Sequence, residues 1–235
     1  MKRLDGKWAL VTGSSRGIGQ QIAIGLAKRG CHVVLHGRDI AHCEKTRSLI
    51  EPLGVDIHAV GGDLRTVQGV DLVIRSVQSV PSPIDILYNN AGFQNTWKPI
   101  WAITLDEWLE SFQVNFFAMV ALCNAFAPAM RERGYGRIIN LTSGIKDIPQ
   151  LAPYSATKAA VDKYTADLAF ELRETNVLVN ALDPGWLKTD LGGPNADHEV
   201  ETVLPGALVP ALLDDDGPSG RLYAAQDYAM LEGSA

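Results

Sequence analysis

Trp8-Ala9-Leu10-Val11-Thr12-Gly13-Ser14-Ser15-Arg16-Gly17-Ile18-Gly19 decides how this chain is read. The apolar run 8–12 stops at Gly13. A helix pattern opens at Gly17, with Ile18, Ile22 and Leu26 at four-residue steps. A strand that turns through glycines into a helix gathers main-chain N–H groups and the positive end of a helix dipole at one point. Such a point suits an anion, for example a pyrophosphate. The spacing is G-x-x-x-G-x-G rather than G-x-G-x-x-G. Three glycines in a tight turn also occur without a ligand, so the strand before and the helix after carry the argument.

Outward from this turn the chain alternates. Strand-like runs fall at 32–36, 55–60, 84–88, 137–141 and 177–182, and helix patterns at 17–29, 39–51, 66–80, 104–133 and 153–174. Gly30 follows the first helix as a C-terminal stop. Thr104-x-x-Glu107 forms a capping box, Pro128 is expected to distort the last turn of its helix, and Pro153 stands where a first helical residue tolerates proline. The alternation predicts an α/β fold, a Rossmann-type doubly wound parallel sheet with helices on both faces. Residues 1–235 read as one dinucleotide-binding catalytic domain. Residues 191–220 break the rhythm, with Gly192-Gly193-Pro194, Asp214-Asp215-Asp216-Gly217-Pro218 and one expected helix between them. This stretch reads as a substrate-loop insertion.

Composition narrows the function. The 235 residues are 46% hydrophobic, enough for a packed core without disulfide or metal staples. A net charge of −6 argues against a general nucleic-acid binder. No uninterrupted apolar run approaches the roughly 18–20 residues of a membrane span, and Met1 to Lys7 does not resemble a signal peptide. Cys31, Cys43 and Cys123 have no metal-ligand spacing and leave an odd thiol, which suits a reducing, cytoplasmic setting. No metal site is expected.

The end of the second strand bears on cofactor choice. NAD-binding folds place an acid there for the ribose hydroxyls; here the stretch is Leu35-His36-Gly37-Arg38-Asp39. Arg38 and Arg16 could clamp a ribose 2′-phosphate, or both could be solvated surface arginines. Their joint placement favours NADP(H), while Asp39 keeps NAD(H) open. His36 either lies near the adenosine or simply packs. Asp63-Leu64 either meets the adenine edge or caps the next helix. Asn89-Asn90-Ala91-Gly92 either lets a cofactor approach or cross-links strand ends.

Tyr154-x-x-x-Lys158 places two side chains on one helical face. A neighbouring ammonium stabilises a phenolate and is expected to lower the tyrosine pKa. The protonated phenol can donate to a carbonyl oxygen as hydride reaches carbon. Ser143 could hold the same oxygen, with Thr142 as the rival hydroxyl. Asn115, in Gln113-Val114-Asn115-Phe116-Phe117, must find partners in an apolar helix. It could bend the helix and hold a water leading to Lys158, or be a locally satisfied core amide.

Taken together, Thr12-Gly13-x-x-x-Gly17-x-Gly19, Asp63, Asn89-Asn90-Ala91-Gly92, Asn115, Ser143, Tyr154-x-x-x-Lys158 and Pro184-Gly185-x-x-x-Thr189 resemble the short-chain dehydrogenase/reductase family over about residues 5–190. The resemblance implies a bound nicotinamide dinucleotide and the catalytic set Asn115, Ser143, Tyr154 and Lys158. It implies cofactor contacts from Gly13, Ser15, Arg16, Gly17, Ile18, Gly19, Arg38, Asp63, Leu64, Asn90, Ala91 and Gly92. It adds Tyr154, Lys158 on the nicotinamide ribose, and Pro184, Gly185 and Thr189 over the nicotinamide. The expected reaction is NADP(H)-dependent reduction of a ketone or aldehyde, or oxidation of the matching secondary alcohol. An NAD-linked alcohol or sugar dehydrogenase and a non-catalytic dinucleotide sensor are the alternatives. The loop from Ser143 to Tyr154 is about two residues shorter than in many members, and the C-terminal part resembles the carbonyl-reductase-like ones. Phe93, Trp97, Trp101, Ile145, Ile148, Leu151, Trp186 and Leu187 are candidates to line the substrate cleft. Apolar residues on several faces of 104–132 and 153–173 point to a homodimer or homotetramer.

Overall fold

The computed structural model describes residues 3–230. Its strands are β1 (Trp8–Val11), β2 (His32–Gly37), β3 (Ile57–Gly61), β4 (Ile86–Asn89), β5 (Gly136–Leu141), β6 (Val177–Asp183) and β7 (Leu222–Ala224). They form one parallel sheet in the order β3-β2-β1-β4-β5-β6-β7. Successive strand residues face opposite sides. Ala9 and Val11 join a core with Ile22 and Leu26 of α1 (Gly17–Ala27) and Ile50 of α2 (Glu44–Ile50). Trp8 and Leu10 face the other core, with Val73 of α3 (Val67–Gln78), Leu122 of α5 (Ala118–Arg133) and Val161 of α6 (Ala152–Glu171). Helices thus cover both faces, as expected for a Rossmann-type doubly wound sheet. The strand order reverses between β1 and β4, and the crevice at the carboxyl ends of these strands is where such sheets take ligands.

Three local readings change. The helix expected over 104–133 is continuous from Leu105 to Arg133, but it consists of α4 (Leu105–Phe112), a π-helical turn at Gln113–Phe117, and α5. Its start is the capping box: Thr104 Oγ1 accepts from the Glu107 N–H, and Glu107 Oε2 accepts from the Thr104 N–H at 2.9 Å. This helix is long and apolar enough to cross a membrane by length and composition, with mean hydropathy 1.4 in its most apolar window. The fold uses it instead as a packed layer, burying Met119, Leu122, Phe126 and Met130 against the sheet.

The helix expected within 191–220 is replaced by two 3-10 turns, Val200–Val203 and Gly206–Ala211. The prolines explain the break. Pro205 and Pro210 have no N–H to donate, and the Leu204–Pro205 bond is cis. The turns still bury Val203, Ala207 and Leu208 beside α1, and Tyr88 anchors them by donating to the Ala207 carbonyl at 2.8 Å. The helix expected over 39–51 splits likewise into 3-10 ends flanking α2.

Candidate active site

The glycine turn sits on a built support. Gly13 N–H donates to His36 Nδ1 at 3.0 Å, and His36 Nε2 lies 3.0 Å from the Gly62 carbonyl. A carbonyl only accepts, so the ring proton is on Nε2 and the imidazole is neutral. Burial pushes the His36 pKa below its ordinary value, in keeping with that state. His36 therefore packs and hydrogen-bonds beneath the turn. Ser14 Oγ accepts from the His36 N–H at 2.9 Å. On the other side, Thr12 Oγ1 accepts from the N–H groups of Asn90 and Ala91, and Asn90 Nδ2 donates to the Thr12 carbonyl at 2.8 Å. Asn89 Nδ2 bonds Asn140 Oδ1 at 2.8 Å, so these amides do cross-link strand ends. Gly92 continues this segment and is exposed.

Gly13 and Gly17 have φ of +64° and +58°, a region that favours glycine. A Cβ on Gly19 would lie 2.4 Å from Asn90 Nδ2 and from the Gly13 carbonyl oxygen. Ser15, Arg16, Gly17 and Ile18 lead into α1, which starts with no side-chain cap and no acid in its first turn. Its leading N–H groups are thus left for an anion.

At the end of β2, a Cβ on Gly37 would meet the Asp39 carbonyl oxygen at 2.9 Å, so an acid does not fit there without a shift. Asp39 uses its carboxylate on the Ala41 N–H at 2.9 Å. Arg38 is exposed. Arg16 reaches across the cleft to Asp190 at 2.7 Å rather than toward Arg38. Asp63 accepts from the Arg65 N–H at 3.0 Å, while the cap of α3 is Thr66, not Asp63. Leu64 is buried, and its carbonyl accepts from Gln113 Nε2.

Asn115 lies in the π-helical turn. Its Oδ1 accepts from the Phe93 N–H at 2.7 Å, and its Nδ2 donates to the Phe93 carbonyl at 2.8 Å and to Thr157 Oγ1 at 3.0 Å. Thr157 donates in turn to the Tyr154 carbonyl at 2.6 Å. The Asn115 amide therefore steadies the first turn of α6, a link that runs through Thr157, which no motif singles out. A polar cavity of about 10 Å³, near the room one water needs, is lined by Thr12, Asn89, Asn115 and Lys158.

Ser143, Tyr154 and Lys158 converge here. The Ser143 hydroxyl lies close enough to the Tyr154 phenol to favour its ionised form. Lys158 Nζ donates to the Leu141 carbonyl at 2.8 Å and lies 5.4 Å from the Tyr154 ring centroid. The expected acidification of Tyr154 is absent in the free protein: burial pushes its pKa up to about 12, only partly opposed by Ser143, with Asp183 adding to the rise. Burial likewise takes Lys158 down to about 8. Thr142, the rival hydroxyl, is buried and turned toward the Lys158 carbonyl at 3.4 Å.

The short loop from Ser143 to Tyr154 closes through a left-handed Asp147 (φ 57°) and a 3-10 turn at Pro149–Leu151. Opposite it, Pro184 and Gly185 follow β6, and Thr189 Oγ1 accepts from the Gly192 N–H. A Cβ on Gly17 would come within 3.5 Å of Thr189 Cγ2, so this loop overhangs the glycine turn. Of the proposed lining residues, Leu151 and Leu187 are buried. Phe93, Ile145 and Ile148 are half-buried, and Trp97, Trp101 and Trp186 are exposed, with Trp101 at 87%.

A fold of this topology with a serine, tyrosine and lysine beside a glycine turn is that of a nicotinamide-dependent oxidoreductase. A family model described as short chain dehydrogenase matches residues 7–200. The gluconate 5-dehydrogenase of Gluconobacter oxydans is 35% identical over 190 residues, covering 80% of this chain and 74% of that protein. A 3-oxoacyl-[acyl-carrier-protein] reductase of Aquifex aeolicus is 34% identical, covering 80% and 77%. A crystal structure of a gluconate 5-dehydrogenase from Burkholderia cenocepacia, in complex with NADP and tartrate, is similar with a TM-score of 0.83 and 28% identity, covering 99% of this chain and 98% of that one. Similar solved structures hold NADP in some cases and NAD in others. The chain belongs to the short-chain dehydrogenase/reductase family, and it is an oxidoreductase acting on CH–OH groups with a nicotinamide dinucleotide.

Proposed function

We propose that this protein is an NADP(H)-dependent reductase of ketones or aldehydes, and that the single catalytic domain uses Tyr154 as general acid. The observation that carries this reading is buried Lys158 one turn along α6 from Tyr154, with its Nζ 5.4 Å from the ring centroid and Ser143 beside the phenol, at the carboxyl edge of the sheet. The cofactor fits the residues present. The uncapped start of α1 suits a pyrophosphate, and the glycines leave room for close approach. When bound, the dinucleotide supplies or receives the hydride.

The protein's own groups do the rest. Ser143 and the Tyr154 phenol offer two hydroxyls to a carbonyl oxygen, where negative charge develops. With its pKa near 12, Tyr154 is protonated at neutral pH, the form that gives a proton away. Lys158, near 8, and a water in the cavity beside Asn115 form a route by which that proton is replaced. Lys158 would also hold the ribose of the cofactor, and Thr189, Pro184 and Gly185 would cover its nicotinamide end.

The preference for NADP(H) rests on Arg38 and Gly37. No acid fits at 37, and Asp39 is engaged with Ala41. Arg16 joins Arg38 only by leaving Asp190. The test is initial rates with a panel of ketones and aldehydes, each run with NADPH and NADH. Turnover with NADPH preferred, and that preference lost in Arg38→Ala, is expected. Tight NADPH binding without turnover across the panel would mark a sensor, and an NADH preference would mark the NAD-linked alternative.

The exposed Leu105, Leu109, Phe117 and Phe170, at 71, 56, 51 and 68%, support a homodimer or homotetramer through α4, α5 and α6. A single monomeric species in sedimentation at micromolar concentration would reject it.

A further inference from the structure

Asp183 is the last residue of β6 and lies beside the proposed acid. One of its oxygens, Oδ2, accepts from the Gly144 N–H at 3.0 Å. The other, Oδ1, accepts from the Gly185 N–H at 3.0 Å. Gly144 opens the loop from Ser143 to Tyr154, and Gly185 opens the loop that overhangs the glycine turn. These loops leave neighbouring strands, β5 and β6. The fit is close: a Cβ on Gly144 would stand 2.8 Å from Asp183 Oδ2.

We propose that Asp183 is a positioning residue: its carboxylate clasps the two loops that flank Tyr154 and forms an anionic wall beside the phenol and Lys158. The proposal rests on the reading of Tyr154 as the acid. A carboxylate has two acceptor oxygens, and both are in use on main-chain donors. Such charge-assisted bonds are the stronger kind, so the clasp fixes Ser143 and the start of the following loop together. The charge has its own effect. Asp183 opposes ionisation of Tyr154 and favours the ammonium of Lys158.

The groups around the phenol are few. Ser143 comes from the end of β5, Lys158 from α6 and Asp183 from β6, and Asp162 of α6 acts on Lys158 alongside Asp183. The two acids therefore favour a neutral phenol beside a charged amine. That combination suits proton donation to a carbonyl, and it works against alcohol oxidation, which must begin by taking a proton onto phenolate.

Asp183→Asn removes the charge but keeps the shape and one acceptor; Asp183→Ser is a second neutral variant should the first fold poorly. Two readouts separate the proposal from a purely structural role. In the first, tyrosine labelled at the hydroxyl-bearing ring carbon is titrated by NMR in the substrate-free protein, with Tyr154→Phe identifying the signal. The Tyr154 midpoint is expected to fall from about 12 in both variants, because an anion has gone. This needs no turnover, so it stands whether or not a carbonyl substrate is found. In the second, kcat for carbonyl reduction is expected to drop about tenfold or more through the lost charged hydrogen bond, while the Kd for NADPH stays within about threefold. The limb along which the rate of the reverse reaction rises with pH, where the phenol ionises, should move to lower pH. An unchanged Tyr154 midpoint in a folded neutral variant would overturn the anionic wall, and unchanged kcat would overturn the clasp. If no carbonyl is reduced by the parent protein but the midpoint still falls, the function reading fails and the electrostatic role of Asp183 stands.

Discussion

The two sides of the cleft are built differently. The glycine turn is held from below by buried groups: His36 takes the Gly13 N–H, Thr12 takes two N–H groups, and Asn90 ties back to the Thr12 carbonyl. Beyond the roots that Asp183 holds, the loops opposite are tied by surface pairs, Arg16 with Asp190 and Lys188 with Glu199, and by the Trp186 indole on the Gly192 carbonyl. Buried, fully paired polar groups are costly to disturb, whereas exposed ion pairs contribute little. The cofactor side is therefore a fixed frame, and the substrate side can be reshaped at small cost.

Four changes would break or sharpen this contrast. Tyr154→Phe removes the proposed acid at the junction of the two sides and should lower kcat for carbonyl reduction by about 10²–10⁴-fold with a normal melting temperature; steady-state rates check it, and an unchanged kcat would assign the proton to another group. Gly19→Ala forces a Cβ against a backbone oxygen at 2.4 Å. It should cost about 1–3 kcal/mol, read as a lower denaturation midpoint and weaker dinucleotide binding by calorimetry.

His36→Leu strands the Gly13 N–H and the Gly62 carbonyl, which should also cost about 1–3 kcal/mol. The pH dependence gives a sharper test of the same residue. The folded pKa of His36 lies below its unfolded value of 6.5, so the unfolded chain takes up a proton first as pH falls. The stability tied to the neutral ring is complete above about 6.5 and is lost as pH drops through the window below it. Melting temperatures of the parent should fall across that window, and those of His36→Leu should fall less. At the small end, Asp190→Asn breaks an exposed pair and should change stability by under about 1 kcal/mol. It also frees Arg16, so NADPH affinity should hold steady or rise by a few-fold; a large loss would mean that the substrate side is as rigid as the frame.

This contrast also sets how far the sequence could be read. Strand order, layers and the glycine turn follow from short-range patterns: apolar runs, four-residue steps and glycines at breaks. Ser143, Tyr154 and Lys158 stand out in the sequence because their types and spacing suit the proposed chemistry. Four features were not. The π-helical turn adds one residue per turn, which hydrophobic periodicity does not resolve over five residues. The absent helix at 200–211 was hidden because its apolar residues are spaced as in a helix while its prolines forbid one. The pairing of Asp183 with Gly144 joins residues 39 apart, and only the parallel alignment of β5 and β6 brings them together. The high pKa of Tyr154 is set by burial, a property of the assembled fold that the i,i+4 spacing of Tyr154 and Lys158 does not carry.

The π-helical turn at Gln113–Phe117 has a consequence for engineering. Such a turn holds one residue more than regular helix needs, so excising a single residue there gives α4 and α5 a way to join without re-aiming either. The amide of Asn115, and through Thr157 the seat of the phenol, would lose its footing while the scaffold kept its shape. That one-residue excision is a route to an intact, inert version of the fold, useful as a control that no substitution at the reacting groups themselves can replace.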